Sequence, residues 1–133
     1  MSDTFDLNIV SHEGKLFNEK VVFFKCHSST GEVGVFPEHS DSLILLESTD
    51  LIYQLADETE KMLFVRNGIL SIKSGNATVI TDQLLMPNDI EIDSVKESIS
   101  SFEKNIKPTN SYEENEKYRK LILESEAKLR ITS

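Results

Sequence analysis

Tryptophan is absent from this 133-residue sequence and cysteine occurs once, at Cys26. A lone cysteine forms no internal disulfide, so the fold is not a disulfide scaffold, and a reducing compartment is compatible with it. Long hydrophobic runs are missing as well. No apolar run exceeds four residues, as in Val21–Phe24 and Leu43–Leu46, against the roughly 20 needed for a helix to cross a bilayer. The start, Met1-Ser2-Asp3-Thr4-Phe5-Asp6, is acidic and has no apolar stretch, which argues against a secretory signal. Positive charge is scarce, with 14 Lys and Arg against 23 Asp and Glu and a net charge of −9. Nonspecific nucleic-acid binding needs a basic surface that displaces phosphate counterions, so a nucleic-acid partner is not expected.

What is present is a chain able to build one globular domain, or one compact domain with a small appendage. The acid excess lies entirely in the first 92 residues, which hold fifteen acids and six bases; the remaining 41 hold eight of each. Within that tail, Lys117, Arg119, Lys120, Lys128 and Arg130 are opposed between positions 117 and 130 only by Glu124 and Glu126. A locally basic face on an acidic protein is either a solvated helix edge or a docking surface for an acidic partner.

Over the first 86 residues the pattern is that of short strands. Phe5, Leu7 and Ile9 alternate with Asp6, Asn8 and Val10, the period of a half-buried strand. Val21-Val22-Phe23-Phe24 suits a strand covered on both faces. Val33 and Val35, then Leu51, Tyr53 and Leu55, then Met62 to Ile72, then Ala77 to Ile80 continue the series. Turn signals separate them at Glu13-Gly14, Thr30-Gly31, Asp57 to Glu60, Asn67-Gly68 and Gly75-Asn76. Such a series predicts an antiparallel β-sandwich or barrel over residues 1–88.

The period then changes. Ile92, Val95, Ile99, Phe102 and Ile106 form one helical stripe, with Asp89 as the expected N-cap and Glu91 and Asp93 near the positive end of the dipole. Pro108 ends that helix. Ser111 and Glu114 have capping-box spacing for a second, whose stripe is Tyr118, Leu121, Ile122 and Leu129 around Ser125. Residues 89–133 are therefore expected to form an antiparallel helical hairpin. With one stripe per helix, little apolar surface is left to fix the hairpin to the sandwich, and the hairpin is the part expected to adopt more than one arrangement.

Chemistry has few candidates. His12, His27 and His39 do not pair at metal-ligand spacing with each other or with Cys26. No G-x-S-x-G context singles out a nucleophile. Gly31-Glu32-Val33-Gly34 is too short for a dinucleotide fingerprint, and Asp57-Glu58-Thr59-Glu60 lacks calcium-loop spacing. The residues describe a binding or structural subunit, with neither metal nor cofactor expected.

The order of short motifs resembles the epsilon subunits of rotary F-type ATP synthases. Leu7-Asn8-Ile9-Val10-Ser11 is similar to that family's L-D-V-V-S, and Gly31-Glu32-Val33-Gly34-Val35-Phe36-Pro37-Glu38-His39 to G-E-L-G-I-Y-P-G-H. Phe64 to Leu70 resembles Y-V-S-G-G-I-L, Asn76 to Asp82 resembles N-V-T-V-L-A-D, and Leu129-Arg130-Ile131 resembles L-R-V. The resemblance implies a non-catalytic rotor subunit whose sandwich binds gamma and sits on the c ring, coupling proton flow to ATP synthesis. It also implies peripheral attachment at the cytoplasmic face of a bacterial inner membrane, through the complex alone. By motif position, Glu32 and His39 would face the c ring and Ser11 would lie near gamma. In many bacterial members the hairpin extends and brakes hydrolysis, its basic residues meeting an acidic segment of beta in the catalytic alpha/beta head. Lys117, Arg119, Lys120, Lys128 and Arg130 would serve that contact.

This chain also departs from the pattern. Glu38 stands where the family has glycine, and Ser40-Asp41 where it has A-P. The usual P-G turn is replaced by Glu47-Ser48-Thr49. Some members bind ATP through I-D-x-x-R-A. Here an ungapped reading puts Glu91 and Ser94 at the Asp and Arg positions, and a shifted one puts Lys96 where the arginine belongs. Neither residue replaces a guanidinium fork, so weak or absent ATP binding is expected. The competing class, a free-standing sandwich that binds sugar or peptide, calls for aromatic pocket walls. The chain has no tryptophan and only three tyrosines, two of them in the expected helices.

Overall fold

The computed structural model describes residues 3–132; Met1, Ser2 and Ser133, and with them the first two residues of the acidic start, lie outside the described residues. Eight strands come first: β1 (Phe5–Ser11), β2 (Leu16–Val21), β3 (Phe23–Ser28), β4 (Gly31–Val35), β5 (Ser42–Leu46), β6 (Thr49–Gln54), β7 (Glu60–Lys73) and β8 (Asn76–Leu85). A 3₁₀ turn at Pro87–Asp89 leads into α1 (Ile92–Asn105) and α2 (Tyr112–Arg130). The expected β-sandwich followed by a helical hairpin is what forms.

The strands hydrogen-bond in the order β2-β1-β8-β7-β5-β3-β4, with β6 joining β3 to β7. This sheet doubles over so that every strand contributes to one interior. Leu7 and Ile9, Val21, Phe24 and Cys26, Val35, Leu46, Leu51, Leu63 and Val65, and Val79 and Leu84 are buried together in it. Among the described residues all strand pairings are antiparallel except one. β1 and β8 run parallel, Leu7 opposite Ala77 and Ile9 opposite Val79, a long-range pairing that period-two reading does not reveal.

Two sequence expectations are corrected here. Val21 to Phe24 is not one strand. Val21 pairs with Phe5 on β1, whereas Phe23 pairs with Gln54 on β6, so the chain changes layer at Val22. The Val22 N–H reaches the Gln54 carbonyl at 2.8 Å. Nor is Asn67-Gly68 a hairpin turn. β7 continues through it, pairing with β6 over Glu60–Val65 and with β5 over Gly68–Ile72, while β8 follows along the other edge. Asn67 takes φ +48°, so inward residues shift from Leu63 and Val65 to Leu70 and Ile72. Turn chemistry is present, but it bends a strand and does not end one.

Gly68 is required at that bend. A Cβ there would lie 2.6 Å from the Ile80 carbonyl oxygen, in a backbone that cannot retreat without breaking the β7–β8 ladder. Replacing Gly68 with Ala is expected to destabilise the sandwich by roughly 1–3 kcal/mol, read as a lower urea midpoint at unchanged slope.

Candidate interaction surfaces

Strand register brings together a surface that no single motif announces. Leu16 faces Val10 across β2–β1, Val10 faces Ile80 across β1–β8, Ile80 faces Ile69 across β8–β7, and Ile69 faces Leu45 across β7–β5. These five side chains form one row over five strands, about 19 Å long at the usual strand spacing. All five are exposed, Leu16 by 74%, Leu45 by 67% and Ile80 by 61%. The next row, Leu43, Ser71, Thr78, Asn8 and Asn18, is neutral and mostly polar. On the other side of the apolar row lie His12, Glu47, Asn67 and Asp82, which with Val10, Ile80, Ile69 and Leu45 line a groove of about 680 Å³. A continuous apolar row on an otherwise charged protein is a signature of a partner surface.

Ser11 borders this groove but is buried, its Oγ accepting a 2.9 Å bond from the Lys15 N–H. The neighbouring Val10 is what reaches solvent. Sequence reading missed the row, although a signal existed. Ile9-Val10, Ile69-Leu70 and Val79-Ile80 are apolar doublets beside alternating stretches, and Leu45-Leu46 ends the apolar run Leu43–Leu46, so in each at least one side chain must point outward.

The second surface lies on the opposite layer, where α2 crosses β6–β7. Phe64 is fully buried on the outer side of β7, against Ala127 and Ile131, with Met62, Leu85 and Ile90 around them. Asp50, the cross-strand neighbour of Phe64, accepts a 3.0 Å bond from Arg130 Nη2. Arg66 Nε donates to Glu124 at 3.0 Å, and Lys128 lies 3.8 Å from the same carboxylate and 5.5 Å from the Phe64 ring centre. Burial pulls the Lys128 pKa below the usual lysine value, and Glu124 opposes that drop. The five basic residues are thus not one free face. Lys128 and Arg130 are held against the sandwich, Arg119 lies 3.4 Å from Glu116 on its own helix, and Lys117 and Lys120 are exposed along α2.

The hairpin is seated mainly through α2. α1 has no buried residue and packs on α2, with Phe102 and Tyr118 ring centres 6.3 Å apart. Ser111 caps α2 by accepting from the Glu114 N–H at 3.2 Å, as the spacing predicts. Asp89 does not cap α1, a correction to the sequence reading. The residue before α1 is Glu91, with no side-chain cap, and the Asp89 carboxylate instead accepts from the Met86 N–H at 2.8 Å and pairs with Lys15. That pairing, helped by the Met86 N–H, holds the Asp89 carboxyl below the ordinary aspartate value. Glu91, Ser94 and Lys96, at the positions of the nucleotide motif, are all exposed.

Glu32 and His39 do not touch. Glu32 is exposed on β4 beside the β3–β4 turn, and His39 follows the far end of that strand, its Nδ1 2.8 Å from the Ser40 carbonyl oxygen. The turn before His39 survives the loss of the family's glycine, with Glu38 at φ +64° and the His39 N–H 3.3 Å from the Phe36 carbonyl oxygen. Among the described residues no cluster of three or more His, Cys, Asp or Glu could hold a metal ion. Burial pushes the Cys26 thiol up to about 12, leaving no thiolate for nucleophilic chemistry near neutral pH.

Comparison with known proteins agrees with this architecture. Residues 4–87 match the family model described as ATP synthase, Delta/Epsilon chain, beta-sandwich domain. A curated relative, the ATP synthase epsilon chain of Delftia acidovorans (strain DSM 14801 / SPH-1), is 25% identical over 109 residues, covering 82% of this chain and 79% of its own. A chain in the Euglena gracilis mitochondrial ATP synthase, OSCP/F1/c-ring in rotational state 1, superimposes with TM-score 0.71 at 14% identity, covering 97% of this chain and 77% of that one. A chain of the Tetrahymena thermophila mitochondrial ATP synthase central stalk/c-ring gives 0.67 at 11% identity over 99% and 98%. No helix among the described residues is long and apolar enough to cross a membrane.

Two predictions follow from the geometry. Left-handed backbone at a non-glycine residue costs about 1–2 kcal/mol, part of which returns as unfolded-chain entropy on mutation to glycine. Glu38→Gly should therefore stabilise the protein by roughly 0.5–1 kcal/mol in chemical denaturation. A depressed carboxyl pKa contributes stability above the unfolded value near 3.9, and that contribution is lost as pH falls through the folded value. Asp89→Asn should accordingly lower the melting temperature at pH 7, with the gap from wild type closing toward pH 2.

Proposed function

This chain belongs to the epsilon-chain family of F-type ATP synthases, and on that premise we propose that it is a non-catalytic subunit of the central stalk. It joins the gamma subunit to the c ring, so that transmembrane proton flow is transmitted to ATP synthesis in the catalytic head. The observation that carries this reading is the uncovered row Leu16, Val10, Ile80, Ile69 and Leu45. It gives gamma a flat apolar seat on one layer of the sandwich while α2 occupies the other.

Ser11 takes part as the buried brace of the β1–β2 turn beside that seat. Glu32 and His39 are the polar groups offered to the c-ring loops, in the positions their motif occupies. The protein attaches to the cytoplasmic face of a bacterial inner membrane only through the assembly.

The hairpin regulates hydrolysis in this reading. While α2 is seated, Arg130 is engaged by Asp50, and Lys128 by Glu124 and the Phe64 ring. Detachment releases these cations to meet an acidic segment of the beta subunit, joined by Lys117, Lys120 and Arg119. The ion pairs and the Phe64 cluster hold the seated form in this reading.

Both parts are testable in the assembled synthase. Ile80→Asp is expected to abolish co-purification with gamma while leaving the circular dichroism spectrum unchanged, because a charge would be buried without a partner. Retained binding would overturn the seat. A chain ending at Asp89 is expected to assemble and to raise the ATP hydrolysis rate; an unchanged rate would remove the regulatory role from the hairpin.

A further inference from the structure

Helix α2 runs along β7 in the opposite direction, and its N-terminal half outlasts the surface it rests on. Ala127 lies against Phe64, Glu124 bonds Arg66, and Lys120 lines a groove with Asn67. From Ala127 to Lys120 a helix advances about 10 Å, and from Phe64 to Asn67 a strand advances about 10 Å. The two therefore stay in step as far as Asn67. There β7 bends, and the helix continues for two more turns past the bend.

That overhang leaves a groove of about 360 Å³ between Glu47, Ser48 and Asn67 on the sandwich and Glu116, Lys120 and Leu123 on α2. Glu47 and Asn67 also line the groove of the apolar row. The two hollows are thus one surface that turns the corner from the sandwich onto the helix. Leu123 is 64% exposed beside it. Its side chain is not in the stripe that covers α1, nor in the face seated on Phe64.

We infer that the partner seated on the apolar row also fills this corner groove, covering Leu123, so that one chain grips both the sandwich and the seated α2. The inference rests on the proposed gamma seat and adds its reach onto the hairpin. Reciprocity follows from linkage: a partner that contacts α2 only when α2 is seated strengthens that seating by the same factor by which seating strengthens its own binding.

The test titrates full-length chain onto ATP synthase catalytic heads, gamma included, that have been stripped of their own epsilon chain. Leu123→Glu keeps helix propensity and, at an exposed position, leaves the fold intact; Lys120→Glu is a second variant in the same groove. Ser101→Asp, an exposed position on α1 outside its apolar stripe, is the control. Wild type and Ser101→Asp should bind alike, with Leu123→Glu weakened about tenfold, the scale of one leucine at an interface edge. Amide exchange in residues 116–124 should slow on binding in wild type and not in Leu123→Glu. If Ile80→Asp abolishes binding while both groove variants bind as wild type and exchange is unaffected, the corner contact is overturned and the seat stands. If Ile80→Asp binds normally, the seat fails and this inference with it. A concentration-dependent dimer of the free chain, lost in Leu123→Glu with head binding unaffected, would assign the groove to a second copy and overturn the proposal.

Discussion

A side chain at residue 68 would stand 2.6 Å from the Ile80 carbonyl oxygen, and the close approach of β7 and β8 that this reflects organises most of the molecule. Because β8 stays paired through the bend, β7 can leave β6 and join β5 without losing its second ladder. One strand then serves both layers of the sandwich. The inward set shifts by one residue at Asn67, so both halves fill the same interior. The outward set shifts with it, which puts Phe64 under α2 and Ile69 in the open row.

The two outer surfaces differ in how they are covered. On the α2 side the apolar contact is small, centred on Phe64, Ala127 and Ile131, and charge supplies much of the definition. Asp50 is nearly buried, so its pair with Arg130 is screened less by solvent than one in open water. Glu124 answers two cations, Arg66 and Lys128. Such an arrangement fixes the register of the helix on the sheet more than it adds free energy, since each ion gives up hydration to take its place. Across the sandwich, the apolar row is flanked by Glu47 and Asp82, neither of them among the ion pairs that hold α2, and no element among the described residues covers it.

Much of this architecture was legible in the sequence. Alternation in Phe5 to Ile9, β-branched runs, and the shift to three-and-four spacing at Ile92 gave the sandwich and the hairpin, because burial of one face imposes those periods directly. Ser111 with Glu114 marked the start of α2 by local hydrogen bonding. What could not be read depends on distant partners. Asp89 has the composition of a cap, but Lys15, 74 residues earlier, claims its carboxylate. Lys128 and Arg130 look like a free basic edge until Phe64 and Asp50 are placed beneath them. The apolar row was visible only as doublets, since its members join through register and no two of them are neighbours in sequence. The face of α2 carrying Ala127 and Ile131 escaped notice because alanine and a terminal isoleucine make a weak stripe.

The parallel pairing of β1 with β8 has a consequence for synthesis. Ala77, the partner of Leu7, comes 70 residues later in the chain, so β1 leaves the ribosome with β2 as its sole available neighbour. Non-local pairing of this kind is slow relative to hairpins and helices. β6 and β7, by contrast, are adjacent in sequence and precede α2, so the platform for the helix exists before the helix emerges. The helical hairpin therefore arrives at a seat already built, while β1, made long before β8, is among the last strands to be enclosed.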